Sequence, residues 1–382
     1  MNSRERVLAA VNGKACDWVP VMFWLNPHTT CRLLSEYQPG RSRLASFMGK
    51  WAWQRFSRRG GMEADAFSRA FPLVMEEYGN SEYVLDLGAD IAVLSPDFIS
   101  PSSFIGSIRF RDGGMTVGGP FGGTMSLAGI YMHPLEPAVT DPRGLADFEF
   151  PDVAEKHFHG VRQFRKNHPS ICLLVEIGAM QQVLCDYILG MQVFMLALVD
   201  YPREIRAFME RMAVWLENIV WLAADAGADM IFLQDDYGCN GRPLISMDMW
   251  MEITFPQLSR LVEASHSRGL PFMLHSCGYQ MPFLERYVQA GVDVLQSLQV
   301  GAGNDLVRAL EITRGELAFA TGIDVQRSAA LTPSELEQSI QDAYRIGSAS
   351  GKFILGMTHM LQHDLPIEKY QMIFQTVHQF QE

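Results

Sequence analysis

Residues 230–278 read MIFLQDDYGCNGRPLISMDMWMEITFPQLSRLVEASHSRGLPFMLHSCG. The stretch opens on a β-prone apolar run, residues 230–234, and closes on another, residues 272–275. Between them, residues 247–268 carry apolar side chains at helical spacing. Strand, helix and strand in this order predict two parallel strands joined by a crossover helix. Chemistry-bearing residues follow both strands: Gln234-Asp235-Asp236-Tyr237 after the first and His275-Ser276-Cys277-Gly278 after the second.

The same rhythm extends in both directions. Further β-prone runs lie at 172–176, 292–296, 317–321 and 353–356, with helical patterns at 202–226 and 333–348. The boundaries carry AGAD, SRGL, AGVD and ASGK. Thr332, Pro333 and Glu335 form a helix-start signal, with a capping hydroxyl, a first-turn proline and a first-turn acid. Upstream, residues 4–12 read as a helix, and 19–24 and 90–94 as strands. Two early strands and six late ones make eight. That count predicts a single (β/α)8 barrel over residues 1–382. No dinucleotide-type glycine fingerprint follows an early strand, which argues against a doubly wound sheet. Two stretches depart from the rhythm. Residues 28–78 mix helical patterns with aromatics around Gly60-Gly61. Residues 103–133 alternate short β-prone runs with glycine pairs, and Asp112-Gly113 is a hairpin signal, so an antiparallel β-hairpin insertion or lid is expected there.

Composition narrows the function classes. At 48% hydrophobic and 19% charged residues the chain can fill one large core and is too apolar for disorder. A net charge of -12, with Arg55, Arg58 and Arg59 as the one basic cluster, argues against nucleic-acid binding. The start, MNSRERVLAAVNG, is amphipathic and charged, unlike a secretory leader. No run of about 18 uncharged apolar residues predicts a membrane span. A soluble, cytoplasmic enzyme acting on a small molecule is the expectation. Six scattered cysteines without a framework argue against disulfides. The 22 methionines are read as packing.

In a barrel, residues at the carboxyl ends of the strands face the active site. There the sequence puts Glu176, Asp235, Asp236, Tyr237, His275, Cys277, Gln296, Gln299, Asp324 and His359. His275-x-Cys277 is the sharpest signal. On an extended segment the two side chains leave on the same face, and imidazole nitrogen and thiolate sulfur are zinc ligands at about 2.0 and 2.3 Å. Taken alone, the pair also fits a buried histidine and an inert thiol. His359, after the last strand, can supply a third ligand if the strands meet across the mouth. Glu176, Asp235 and Asp236 are the catalytic candidates, as general base, displaceable ligand or ligand-orienting groups. Tyr237, Gln296 and Asp324 are the candidates for contact with a cofactor. A capping or turn role is the alternative for Asp235-Asp236 and for Asp324. No nucleophile elbow, P-loop, kinase set or H-E-x-x-H is found.

Six segments then carry a family resemblance: RERVLAAVNGKACDWVPV from Arg4, FLQDDYG from Phe232, the 244–278 segment ending in HSCG, AGVDVLQSLQ from Ala290, TGIDVQ from Thr321, and FILGMTHMLQHDLPIEK from Phe353. With these the chain resembles the uroporphyrinogen decarboxylase superfamily, and within it the methylcobalamin:thiol (coenzyme M) methyltransferase-like branch. The resemblance implies a (β/α)8 barrel and a homodimer. It also implies zinc held by an H-x-C pair and a late cysteine. Those positions fall on His275, Cys277 and His359, so histidine stands where the branch has its second cysteine. One thiolate and two imidazoles make the site less negative and a stronger Lewis acid. The implied activity is methyl transfer between a methylcorrinoid and a thiol or related small acceptor. A separate corrinoid protein would present the donor, because no corrinoid-binding module is identified in the chain. The family's decarboxylases carry an arginine motif after the first strand. Here that place reads MFWLNPHTT, with no arginine before Arg32. Uroporphyrinogen is therefore not the expected substrate. The competing readings are a metal-independent decarboxylase of another carboxylic acid, using Arg32, Arg55 or Arg109, and a non-catalytic ligand-binding barrel.

Overall fold

The first helix, Ser3–Val11, shows how local chemistry starts the fold. Asn2 caps it by accepting the Glu5 N–H, and the Glu5 side chain accepts the Asn2 N–H in return. Its buried face, Val7 and Val11, points into the chain's smaller apolar cluster. A computed structural model of the protein describes residues 1–37, 50–51, 53–54, 81–98, 109–111, 114–119, 121–128 and 131–381. The expectations for Arg55, Arg58, Arg59, Gly60-Gly61 and Asp112-Gly113 fall outside those residues.

Eight parallel strands form the central sheet. In chain order they are β1 (Val21–Met22), β2 (Ile91–Leu94), β7 (Cys172–Gly178), β8 (Met230–Gln234), β11 (Phe272–Ser276), β12 (Val294–Ser297), β13 (Ala318–Ile323) and β14 (Phe353–Met357). From β2 to β14 each pairs with its neighbour in sequence among these eight, and β14 returns to pair with β1. Between β1 and β2 the ring is drawn together by Asp90, whose N–H donates to the Val21 carbonyl at 2.8 Å. Its Oδ2 accepts the Val21 N–H at 2.9 Å.

That clamp recurs. Asp229 and Asp293 precede β8 and β12 as Asp90 precedes β2. Asp229 bonds in the same two-point way to Leu173 and Asp293 to Phe272. Each follows a Gly-x-Asp pattern, and Gly88, Gly227 and Gly291 all have positive φ, which ends the preceding helix at little cost. The AGAD and AGVD signals are thus the amino-terminal fastening of the barrel.

Side chains alternate strictly. Met22, Ile91, Cys172, Leu174, Met230, Phe232, Met273, Val294, Ala318, Ala320 and Ile354 fill the lumen, closed from below by Val7 and Val11. Their neighbours, among them Leu173, Ile231, Leu274, Leu295, Phe319 and Leu355, pack outward against helices such as Pro202–Asp225. The lumen is therefore a packed core, and what lies above its last apolar layer lines the mouth.

Two expectations are corrected. The helix expected over residues 247–268 is two helices, Met247–Ile253 and Phe255–Ser267. Pro256 lacks the N–H that would continue the first. The expected β-hairpin insertion is larger than a hairpin: β3 (Arg109–Arg111), β4 (Gly114–Gly118), β5 (Thr124–Ala128) and β6 (Tyr131–Glu136) form a four-stranded antiparallel sheet. A short antiparallel ribbon, β9 (Gly238–Cys239) with β10 (Arg242–Pro243), follows β8. No described helix is long and apolar enough to cross a membrane. All six cysteines are free thiols.

Candidate metal centre

The alternation that fills the lumen also builds the mouth. On β11, His275 follows Met273 by two residues and Cys277 follows by two more, so both continue the inward series. His359 lies two residues beyond β14. Each of the three offers one ligand atom, and these atoms all lie within 4.8 Å of one another. Among the described residues this is the one such group of histidine, cysteine and acidic side chains.

His275 is held on every side. The neighbouring strand places Gln296 opposite it. The Gln296 amide donates to the Met357 carbonyl at 2.6 Å, which turns its oxygen toward His275 Nδ1. Donation from Nδ1 to that oxygen leaves Nε2 as the ring nitrogen turned toward Cys277. Nε2 lies 3.3 Å from Cys277 Sγ and 3.6 Å from Asp236 Oδ1. Asp236 also accepts the Cys277 N–H at 2.6 Å. Gly278 donates its N–H to Gln299 Oε1 at 2.9 Å. A Cβ on Gly278 would fall 2.3 Å from the Gly238 carbonyl carbon, and its φ is +78°, so glycine is required there.

The electrostatics suit a cation. Burial, and then Asp236, push the Cys277 thiol well above its ordinary range. A bound cation reverses that by favouring the thiolate. Burial, with His275 next, lowers His359 to about 4, so its ring is neutral at physiological pH and has a lone pair to offer. His359 Nδ1 accepts the Met360 N–H at 2.8 Å. Coordination through either ring nitrogen displaces that contact: Nδ1 would bind directly, or it would have to carry the proton while Nε2 binds.

The other expected residues divide. Glu176 continues the lumen series after Leu174, accepts the Ser95 hydroxyl at 3.0 Å, and is pushed up to about 7 by burial. It stands beside a register shift in β7 between Glu176 and Gly178 and lies outside the three-ligand group. Asp235 points away from the mouth, because Met230, Phe232 and Gln234 hold the inward parity. Fully buried, it accepts the N–H groups of Gln182 at 2.8 Å and Gln181 at 3.1 Å. Burial raises it to about 7. In this structure Asp235 pins β8 to the segment after β7.

Tyr237 is fully buried in an aromatic cluster, with ring centroids 5.3 Å from Trp250 and 6.0 Å from Phe283. Gln296 pairs in register with His275 and meets its Nδ1. Asp324 caps the short helix Val325–Ser328 through Oδ1. Arg32 pairs with Glu36 and donates to the carbonyls of His363 and Leu365, which commits it elsewhere.

Sequence reading missed two features. Trp24 stacks on His359 at 5.5 Å between centroids and meets His275 edge-on at 5.1 Å. The inward parity of Met22 points to it, once the strand is fixed. Ser297 and Leu298, just after Gln296, hold φ values of +122° and +54°. Such backbone is uncommon for residues with side chains and clusters at functional sites. The Thr321 hydroxyl holds it by donating to the Ser297 carbonyl at 2.6 Å. Nothing local in the sequence announces this turn.

Comparison with known proteins adds a family and a fold. The family model described as Uroporphyrinogen decarboxylase (URO-D) matches residues 130–380. No curated protein matches the chain by sequence. Among solved structures, a methyltransferase from Methanosarcina mazei superposes with a TM-score of 0.63 at 14% identity, covering 100% of both chains. A β-L-arabinopyranosidase from Geobacillus stearothermophilus gives 0.40 at 11% identity over 81% of this chain and 72% of its own. A D-psicose 3-epimerase gives 0.40 at 9% identity over 78% and 90%.

Proposed function

The chain belongs to the uroporphyrinogen decarboxylase family, and from that premise we propose that it is a zinc-dependent methyltransferase, moving a methyl group between a corrinoid and a thiol or related small acceptor. The observation that carries the reading is the convergence of His275, Cys277 and His359 to within 4.8 Å. Three protein ligands with one position open is the catalytic pattern for zinc. When bound, zinc supplies a Lewis acid that favours the thiolate form of an acceptor near neutral pH.

The remaining work falls to the chain's own residues. Gln296 sets the His275 tautomer, as partners behind metal-binding histidines do. Asp236 holds the Cys277 backbone and faces His275. Trp24 walls the cluster on the β1 side, against both imidazoles. Glu176, a carboxyl raised to about 7, would exchange a proton with an acceptor or serve as a displaceable fourth ligand. The full-length likeness to a methyltransferase supports the shape of such a site. The corrinoid half rests on the resemblance of the HSCG and neighbouring segments, with a docking corrinoid protein as donor. A cytoplasmic homodimer is the setting proposed.

A decarboxylase of a polycarboxylate is the weaker reading. Its substrate would need cations at the mouth, and Arg32 is already engaged. Metal analysis of protein purified without chelator tests the proposal. Near-stoichiometric zinc in the wild type and its loss in Cys277→Ala are expected. Metal-free wild type, or full occupancy in Cys277→Ala, would overturn the proposal.

A further inference from the structure

Asp324 is a carboxylate used only by half. It is 5% exposed and follows the inward-facing Ala318 and Ala320 of β13 at even spacing. Oδ1 accepts the N–H groups of Gln326 at 3.0 Å and Arg327 at 3.1 Å. Oδ2 is buried and has no hydrogen-bond partner among the described residues. β14 fixes its place at the mouth. The Thr358 N–H donates to the Ile323 carbonyl at 2.9 Å, and Thr358 Oγ1 accepts the Val325 N–H at 3.2 Å. His359 is the next residue. A buried acceptor without a donor is unfavourable, and more so for a charged one.

The sign of the rim points the same way. Residues 23–25, 95–97, 176–181, 234–239, 275–280, 296–299, 324–326 and 358–362 follow or end the eight strands and contain no lysine or arginine. They contain Asp97, Glu176, Asp236 and Asp324, besides the buried Asp235 that is turned away from the mouth. An anionic ligand would enter against these charges, whereas a cation would be drawn in.

We infer that the small molecule bound at this mouth carries a hydrogen-bond donor, preferentially a cationic amine, and that Asp324 Oδ2 receives it. The inference rests on the mouth being the ligand site proposed above and names the class of ligand. Asp324 is a specificity residue in this account, not a metal ligand.

Calorimetric titration of the metal-loaded protein tests it. The probes are aminoalkanethiols of two to four carbons and mercaptoalkanoates of matching length. Wild type should bind the amines about tenfold more tightly or better, the scale of one charged hydrogen bond. Asp324→Asn keeps an oxygen for the capping role and should bring the two series to within about twofold, with metal content unchanged. Equal binding of both series by wild type, tighter binding of the alkanoates, or an unaltered preference in Asp324→Asn would overturn the inference. If Asp324→Asn does not fold, the wild-type ranking decides by itself. Alkylamines and alkanoates without sulfur, titrated into metal-stripped protein, separate the two proposals. A retained amine preference there upholds Asp324 even where the metal reading fails, and its absence counts against Asp324 alone.

Discussion

The two ends of the barrel treat their carboxylates in opposite ways. At the amino-terminal end the three clamp aspartates each have a basic partner, His266 for Asp293 and arginines for the other two. Asp90 meets Arg6, Asp229 meets both Arg4 and Arg165, and Arg6 also pairs with Asp17 at 2.7 Å. At the carboxyl end Glu176, Asp236 and Asp324 make no ion pair with lysine or arginine among the described residues. The matched end fastens strands, and the unmatched end leaves acceptors, lone pairs and a thiol for something brought from outside. The division follows the fold: loops at the carboxyl ends are free to carry chemistry because the other end carries the stability.

The largest effect should come from the fastened end. Asp229 is fully buried between two arginines and an N–H. Asp229→Ala strands those partners and should destabilise the protein by about 3–5 kcal/mol. Urea unfolding measures this, and an effect under about 1 kcal/mol would erase the contrast between the ends. At the other end, Cys277→Ala and His359→Ala should each abolish tight metal binding while shifting the stability of metal-free protein by only about 1 kcal/mol or so. Competitive metal titration and thermal melts on the same samples check both halves.

Gln296→Leu sits between these cases. It removes the partner of His275 Nδ1 without removing a ligand, and metal affinity should fall about 10–100-fold. Unchanged affinity would show that packing alone orients the ring. The smallest effect concerns pH. Glu176 is raised to about 7 in the fold against about 4.5 unfolded. Between those values the folded state holds a proton that the unfolded state has released. Its contribution is therefore fully present below about 4.5 and lost as pH rises through about 7. Metal-free wild type should lose stability over that window, and Glu176→Gln should flatten the slope. A slope of equal size in both proteins would remove Glu176 as its cause.

The architecture was legible because its signals are local and repeated. Apolar runs of strand length alternate with helical patterns, and Gly-x-Asp precedes β2, β8 and β12, where each aspartate bonds the neighbouring strand. His275 and Cys277 were legible because a two-residue spacing on a strand selects one face. Asp235 falls on the other face by the same count: Met230 and Phe232 set an inward parity that an odd step leaves. The aromatic packing of Tyr237 was not legible, because a tyrosine at a strand end fits a rim and an aromatic core equally well by sequence. Trp24 and the Ser297-Leu298 turn depend on tertiary closure, where β1 meets β14 and where Thr321 reaches across to β12. No local pattern encodes such meetings.

X-ray absorption at the zinc edge tests the central claim most directly, because it reads the atoms around the metal in the native protein. The account predicts one sulfur at about 2.3 Å and two imidazole nitrogens at about 2.0–2.1 Å, with a fourth light ligand. A first shell without sulfur, or one unchanged by His359→Ala, would contradict it.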